Sequence, residues 1–170
     1  MNTELITVIA NIALTVSFVI ALVFGIAQVQ AAARDRRERL TLDTLRSFQT
    51  REFSKLALYV NMHDLPTNLQ DMQAMPYEDQ VNVFQYGQQM ENLGILLAEG
   101  LINIDLVDKT LGSFVVTTWE KYEPLFTDIR INQPDPFLGE YFQWLAGQIK
   151  ERMEKNPREP FYKTKKQAPK

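Results

Sequence analysis

Along the chain the hydrophobic pattern begins with one unbroken apolar run. Residues 5–27, LITVIANIALTVSFVIALVFGIA, carry no charge over about 23 positions, the length an α-helix needs to cross a bilayer core. Thr7, Asn11, Thr15 and Ser17 are its strongest polar members. A helix in lipid accommodates such groups by bonding hydroxyls back to its own carbonyls or by turning them toward a partner helix. A cleaved signal peptide fits poorly, because the leading MNTE holds Glu4 and no Lys or Arg. The run also exceeds the roughly 7–15 residues of a signal-peptide core, although Ala31, Ala32 and Ala33 imitate a cleavage site. Core helices of soluble domains rarely run so far without a charge. The run therefore reads as an uncleaved signal anchor.

Downstream, apolar positions recur at helical spacing between a few turn signals. Residues 28–62 contain neither Gly nor Pro, which predicts that the helix continues out of the membrane without a break. Leu42, Leu45, Phe48 or Gln49, Phe53, Leu56 and Val60 mark its apolar face. Residues 61–66 break the pattern with Asp64 and Pro66, and the polar TNLQDMQAMPYEDQ predicts a loop or short helix.

The next helix starts near Pro76, with Glu78 and Asp79 in its first turn, and stops at Gly100. Its expected buried face is Val81, Phe84, Met90 or Gln88, Leu93, Leu96 and Leu97, and the internal Gly94 suggests a close helix crossing. Asn103 caps a further helix with Asp105 and Asp108 in its first turns. Its core stripe is Ile104, Val107, Leu111, Phe114 or Val115, Thr118 and Tyr122, with Trp119 as an aromatic anchor. Pro124 is expected to kink or restart it before Leu125, Phe126, Ile129 and Ile131. Asp135 and Pro136 form an N-cap and N1 pair for the last helix, with Phe137, Tyr141, Trp144 or Leu145 and Ile149 inward, which frays by Asn156 and Pro157.

No strand alternation competes, so the fold class is all-α: one N-terminal transmembrane helix continuing into a small cytoplasmic bundle of four or five helices. The expected organisation is a short outer N-terminus at 1–4, the span at 5–27, a juxtamembrane helix at 28–62, the bundle at 63–156 and a flexible basic tail at 157–170. The roughly 140 residues after the span suffice for one core and not comfortably for two.

Charge adds orientation. Residues 34–55 hold seven basic and four acidic side chains, net +3; residues 63–157 hold six and fifteen, net −9; residues 158–170 hold five and one, net +4. Arg34, Arg36, Arg37 and Arg39 directly follow the apolar run, and such a flank stays on the cytoplasmic side. This places the N-terminus outside and the domain in the cytoplasm, in a single pass through the inner (plasma) membrane. The lack of cysteine is compatible with that reducing compartment. The basic ends, with Lys163, Lys165, Lys166 and Lys170 in the tail, suit anionic lipid headgroups, and the acidic middle disfavours nucleic acid.

Candidate chemistry is sparse. Ala13, Ser17, Ala21 and Gly25 recur every four residues, a small-residue face against which another helix can pack closely, with Asn11 on the neighbouring face. His63 is the single histidine, so it forms no multi-histidine metal site and reads as a surface or capping residue. Glu120, Glu123, Asp128 and Arg130 cluster in sequence but read as solvated charges first. Arg130, the only basic residue between Lys121 and Lys150, is expected either to bridge Glu99, Glu123 or a neighbouring acid or to receive an anionic ligand. Phosphate loops, nucleophile elbows and the Glu-x-x-His pairs of di-iron bundles are missing from the sequence, and no cofactor is expected.

The segment MENLGILLAEGLINIDLVDKTLGSFVVTTWEKYEPLFTDIR, followed by PDPFLGEYFQWLAGQI, carries a pattern of N-L-G, then E-G-L-I, then W-x(10)-R, then an aromatic pair before W-L-A. Here these are Asn92, Leu93 and Gly94; Glu99, Gly100, Leu101 and Ile102; Trp119 and Arg130; Tyr141 and Phe142; and Trp144, Leu145 and Ala146. The chain so resembles a bacterial family of N-terminally membrane-anchored helical proteins, a domain of unknown function. It departs from that pattern at Gln143, where the family often has Glu. The resemblance implies an architecture and a membrane location but no activity.

The expected role is an interaction or scaffolding module at the inner membrane rather than an enzyme, as a homo-oligomer or with a membrane-protein partner. Two alternatives stay open: a ligand sensor or enzyme with a site on the acidic bundle face, and an accessory subunit of a larger membrane complex.

Overall fold

The computed structural model describes residues 3–133, 135–160 and 163. Its helices are α1 (Thr3–Ser47), α2 (Arg51–Met62), α3 (Leu69–Ala74), α4 (Tyr77–Ala98), α5 (Ile104–Asn132) and α6 (Glu140–Lys155), with no strand among the described residues. The chain divides into two units, Met1–Leu40 and Thr41–Lys170.

In the first unit every described side chain up to Arg39 is exposed. α1 is the one helix among the described residues long and apolar enough to cross a membrane. Its threonines bond inward along the helix, as the sequence suggests: Thr7 Oγ1 donates to the Thr3 carbonyl at 2.9 Å and Thr15 Oγ1 to that of Asn11 at 2.8 Å.

The second unit is a helical bundle. α4 packs against α2 and α6, α5 packs against α6, and α3 lies on α5. The expectation of one helix through 28–62 is corrected here, since α1 ends at Ser47 and α2 restarts at Arg51. Ser and Thr hydroxyls make the break by competing for backbone groups. Ser47 Oγ donates to the Thr44 carbonyl, Thr50 Oγ1 donates to that of Ser47, and Thr50 Oγ1 accepts the Phe53 N–H as the N-cap of α2. The restart sends Phe53, Leu56 and Val60 into the core.

α4 carries a second correction. Its buried face is Val83, Tyr86, Gly87, Met90, Leu93, Gly94 and Leu97, whereas Phe84 is 50 % exposed. Tyr86 sets this face. Its ring stacks between Phe53 (5.8 Å) and Tyr122 (5.6 Å), and its hydroxyl bonds Thr118 Oγ1 at 3.0 Å, so a polar-tipped residue is fully buried without an unmet donor. Gly94 is the predicted close crossing: a Cβ there would collide with the backbone carbonyl of Tyr141 on α6.

α5 runs through Pro124 without ending and buries Val107, Val115, Thr118, Trp119, Tyr122, Leu125 and Ile129, close to the expected stripe, although Ile131 is exposed. α6 starts later than expected. Asp135 Oδ1 accepts the Phe137 N–H at 3.1 Å, but this closes only a turn. The helix begins after Gly139, at φ 69°, whose Cβ would strike the Phe126 ring. Phe137 and Trp144 consequently lie exposed, while Phe142, Leu145, Ala146 and Ile149 are buried. Trp119 sits edge-on to Phe142 at 5.1 Å and completes the core.

Candidate functional site

Lys121, Asp128 and Glu91 of the second unit close the ends of neighbouring helices. Lys121 Nζ on α5 donates to the carbonyls of Val60 (2.7 Å), Asn61 (3.1 Å) and His63 (3.3 Å), where α2 leaves its last carbonyls unpaired. Asp128 accepts the Leu69 N–H at 2.9 Å, at the start of α3. Glu91, on α4, accepts the N–H groups of Tyr141 (3.2 Å) and Phe142 (2.8 Å), one with each carboxylate oxygen. Gly139 has no side chain with which to cap α6, so a neighbouring helix supplies the acceptor. Sequence reading missed Glu91, because a cap donated from another helix leaves no local spacing signal.

Arg130 is corrected by the same logic. Among the described residues it makes no ion pair; Nε donates to the Leu138 carbonyl at 2.8 Å and Nη1 to Gln143 Oε1 at 2.7 Å. The guanidinium thus holds the turn before α6 in place of the expected carboxylate bridge. Arg158, assigned to a flexible tail, donates to the Asp108 carbonyl at 3.0 Å and pairs with Asp108 Oδ1 at 3.3 Å. Asp108 is buried and needs such a partner. Lys165, Lys166 and Lys170 lie outside the described residues.

The remaining predicted residues do not converge. Glu120 stands 4.0 Å from Lys150, Glu123 is exposed, and the ring of His63 stacks on Tyr59 at 4.4 Å. Ala13, Ser17, Ala21 and Gly25 are all exposed, and a Cβ on Gly25 would meet nothing within 4 Å. Arg34, Arg36, Arg37 and Arg39 are exposed as well, with Arg34 paired to Glu38 one helical turn on at 3.1 Å.

Each resolved shift in acidity moves a group away from neutrality. Burial raises the Tyr86 and Tyr122 phenols, and burial followed by the nearby Asp79 raises that of Tyr59. The Glu151–Lys155 pair lowers its acid and raises its base.

What the second unit does present is a cleft. A hollow of about 70 Å³ lies between Met72 of α3, Phe84 and Gly87 of α4, Phe126 and Ile129 of α5, and Leu138. A shallower hollow of about 280 Å³ adjoins it, sharing Met72 and Phe84 and bounded by Leu69, Gln73, Gln80 and Val81. Glu91 borders the first hollow, but both its oxygens are engaged by α6. The rest of the lining is apolar except for Gln73, Gln80 and Gln88.

The chain belongs to the family described as Domain of unknown function (DUF4760), whose family model matches residues 15–149. The match takes in most of the apolar run and the bundle through Ile149. Neither a curated protein nor a solved structure matches the chain.

Proposed function

Starting from that family membership, we propose that the chain is a single-pass, membrane-anchored helical module that works through protein contacts rather than catalysis. The observation that carries the reading is the exposed apolar helix: from Leu5 to Val29 its large hydrophobic side chains are exposed. Such a surface calls for lipid or another protein. The bundle supports the second half of the reading, because Lys121, Asp128 and Glu91 are engaged at helix ends while an apolar cleft stays open.

In this proposal the N-terminus lies outside the inner membrane and the bundle lies in the cytoplasm, with Arg34, Arg36, Arg37 and Arg39 against anionic headgroups. The Ala13, Ser17, Ala21 and Gly25 face seats a second copy or a membrane partner.

The lack of cysteine makes the test direct. Membranes holding the full chain are washed with alkaline carbonate, and Thr3→Cys and Met153→Cys variants are labelled in intact cells with an impermeant maleimide. Retention in the pellet, with label only on the Thr3→Cys variant, is the expected result. Release by carbonate would remove the anchor, and the reverse labelling would invert the orientation. Cross-linking in mild detergent, beside a variant carrying Ala21→Leu and Gly25→Leu, tests the small-residue face.

A further inference from the structure

The end of the bundle at which the second unit begins is also the end from which the C-terminal tail departs. Thr41, the first residue of that unit, is buried, and its Oγ1 accepts the Asn103 N–H at 2.9 Å, next to the start of α5. Two ion pairs bring the end of α6 to the same turns of α5. Arg152 pairs with Asp105. Beyond the helix, Arg158 pairs with Asp108 Oδ1 at 3.3 Å and donates to the Asp108 carbonyl at 3.0 Å. Asp108 is buried and needs this cation, so the chain is held at Arg158 and its remaining residues start from there.

Residues 159–170 hold Lys163, Lys165, Lys166 and Lys170 against a single acid, Glu159, with Phe161 and Tyr162 just ahead of the lysines. Aromatic rings followed by clustered lysines suit a headgroup layer, where the rings sit at the interface and each lysine meets a negative surface. Residues 27–41 belong to α1 and rise about 21 Å as helix, of which the headgroup layer takes about 5–7 Å. Extended, the tail carries Lys165 and Lys166 about 25 Å from Arg158 and Lys170 about 40 Å, long enough to reach that layer. Acids at this end of the bundle already hold cations: Asp43 pairs with Arg46, Asp105 with Arg152, Asp108 with Arg158 and Glu151 with Lys155. These four carboxylates are neutralised, whereas an anionic leaflet presents negative charge continuously.

We infer that the C-terminal tail is a second membrane contact, which starts at the Arg158–Asp108 pair and lays its lysines on an anionic leaflet. The apolar helix already holds the chain, so this contact acts on the bundle and draws it toward the lipid through a short tether at high effective concentration. It is electrostatic, and salt or loss of lysine charge reverses it where the apolar helix is unaffected. The inference rests on the membrane-anchored reading and adds a second site on the same surface.

The sequence has no cysteine, so Ala168→Cys gives the tail a single thiol for a fluorophore. The labelled full chain is held in nanodiscs of phosphatidylcholine, alone or with about 30 % phosphatidylserine, and a water-soluble quencher reads the exposure of the label. Nanodiscs offer lipid to either side of the span, so the result does not depend on orientation. Quenching is expected to fall about tenfold in the anionic discs and to recover when salt rises from about 0.05 to about 0.5 M. Combined Lys163→Gln, Lys165→Gln and Lys166→Gln, at roughly fivefold each, should weaken the contact about a hundredfold and return quenching to its value in phosphatidylcholine. Equal shielding in both kinds of disc overturns the inference, because the tail then lies on its own bundle or on a second copy. A label quenched fully in both overturns it too and leaves the tail to a protein partner. Shielding that survives the three glutamines or high salt does the same. A chain that leaves the membrane in alkaline carbonate, yet has its tail shielded by anionic lipid, refutes only the anchor. One that stays in the pellet with its tail unshielded refutes only this contact.

Discussion

Leu14 presents 69 % of its surface to its surroundings and Leu145 presents none. Both are leucines inside regular helices, one in the unit Met1–Leu40 and the other in the unit Thr41–Lys170. In the bundle the free energy of hiding such a side chain, about 1.5–3 kcal/mol, is realised when the chain folds. In the first unit the large apolar side chains are exposed, and on the proposed reading lipid or another protein covers them. The glycines differ in the same way: Gly25 faces open space, whereas Gly94 is filled to the backbone of a neighbouring helix. Apolar content is therefore not a measure of core. A run without charge marks a surface made for an apolar exterior, and a periodic stripe marks one completed from within.

Two arginines in the middle of the apolar run give the widest contrast. On the proposed anchoring, Val16→Arg with Ile20→Arg costs about 2.5–3.5 kcal/mol per arginine, so the chain should leave the membrane pellet while the melting temperature of the bundle stays where it was. If the bundle melts with the anchor, the two units are not independent. Phenylalanine truncation runs the other way. Phe142→Ala, at a fully buried position, should cost the bundle about 3–5 kcal/mol in denaturant unfolding, and Phe18→Ala, at a position 70 % exposed, should cost it nothing measurable.

Glycine repeats the contrast on a smaller scale. Gly94→Ala should destabilise by about 1–3 kcal/mol because the obstacle is backbone and yields little, while Gly25→Ala should leave the melting curve unchanged. Alkali probes the bundle alone. Tyr86 and Tyr122 hold their protons in the fold above the ordinary phenol value of 10.0, whereas in the unfolded chain they lose them at about that value. Stability is then full below about pH 10 and falls by about 1.4 kcal/mol per phenol for each pH unit above it; Tyr122→Phe should flatten the slope. The smallest expected effect is at the cross-helix cap. Glu91→Gln keeps one acceptor oxygen but loses the other and the charge at the start of α6, and should cost about 1 kcal/mol by thermal melting.

The polar side chains show why the sequence was a fair guide to helices and a poorer one to sites. Asn103 and Gly100 close their own helices, and their short-range signals were readable: Asn103 Oδ1 accepts the Asp105 N–H at 2.8 Å, and Gly100 takes φ 66°. Lys121, Glu91 and Asp128 close other helices, across separations of about 60, 50 and 59 residues, which no local spacing encodes. Arg130 was singled out for its isolation among acids, yet its partners are a carbonyl and an amide brought near by the turn before α6. The acidic character of the middle of the chain was legible from composition alone.

By itself the sequence determined the all-α class, the long apolar helix near the N-terminus, and most of the helix ends, because charge-free length, 3.6-residue periodicity and capping residues act over a few neighbouring positions. The break at residues 48–50 is made by the local hydroxyls of Ser47 and Thr50, whereas tertiary structure alone decided the rotation of α4 that buries Tyr86 and leaves Phe84 outside, and the start of α6 at Gly139 rather than Asp135. In both of these elements the local pattern allowed two choices. The outcome was set by which one satisfied a distant partner, namely a ring to stack on, a hydroxyl to bond or a carboxylate to receive free amides.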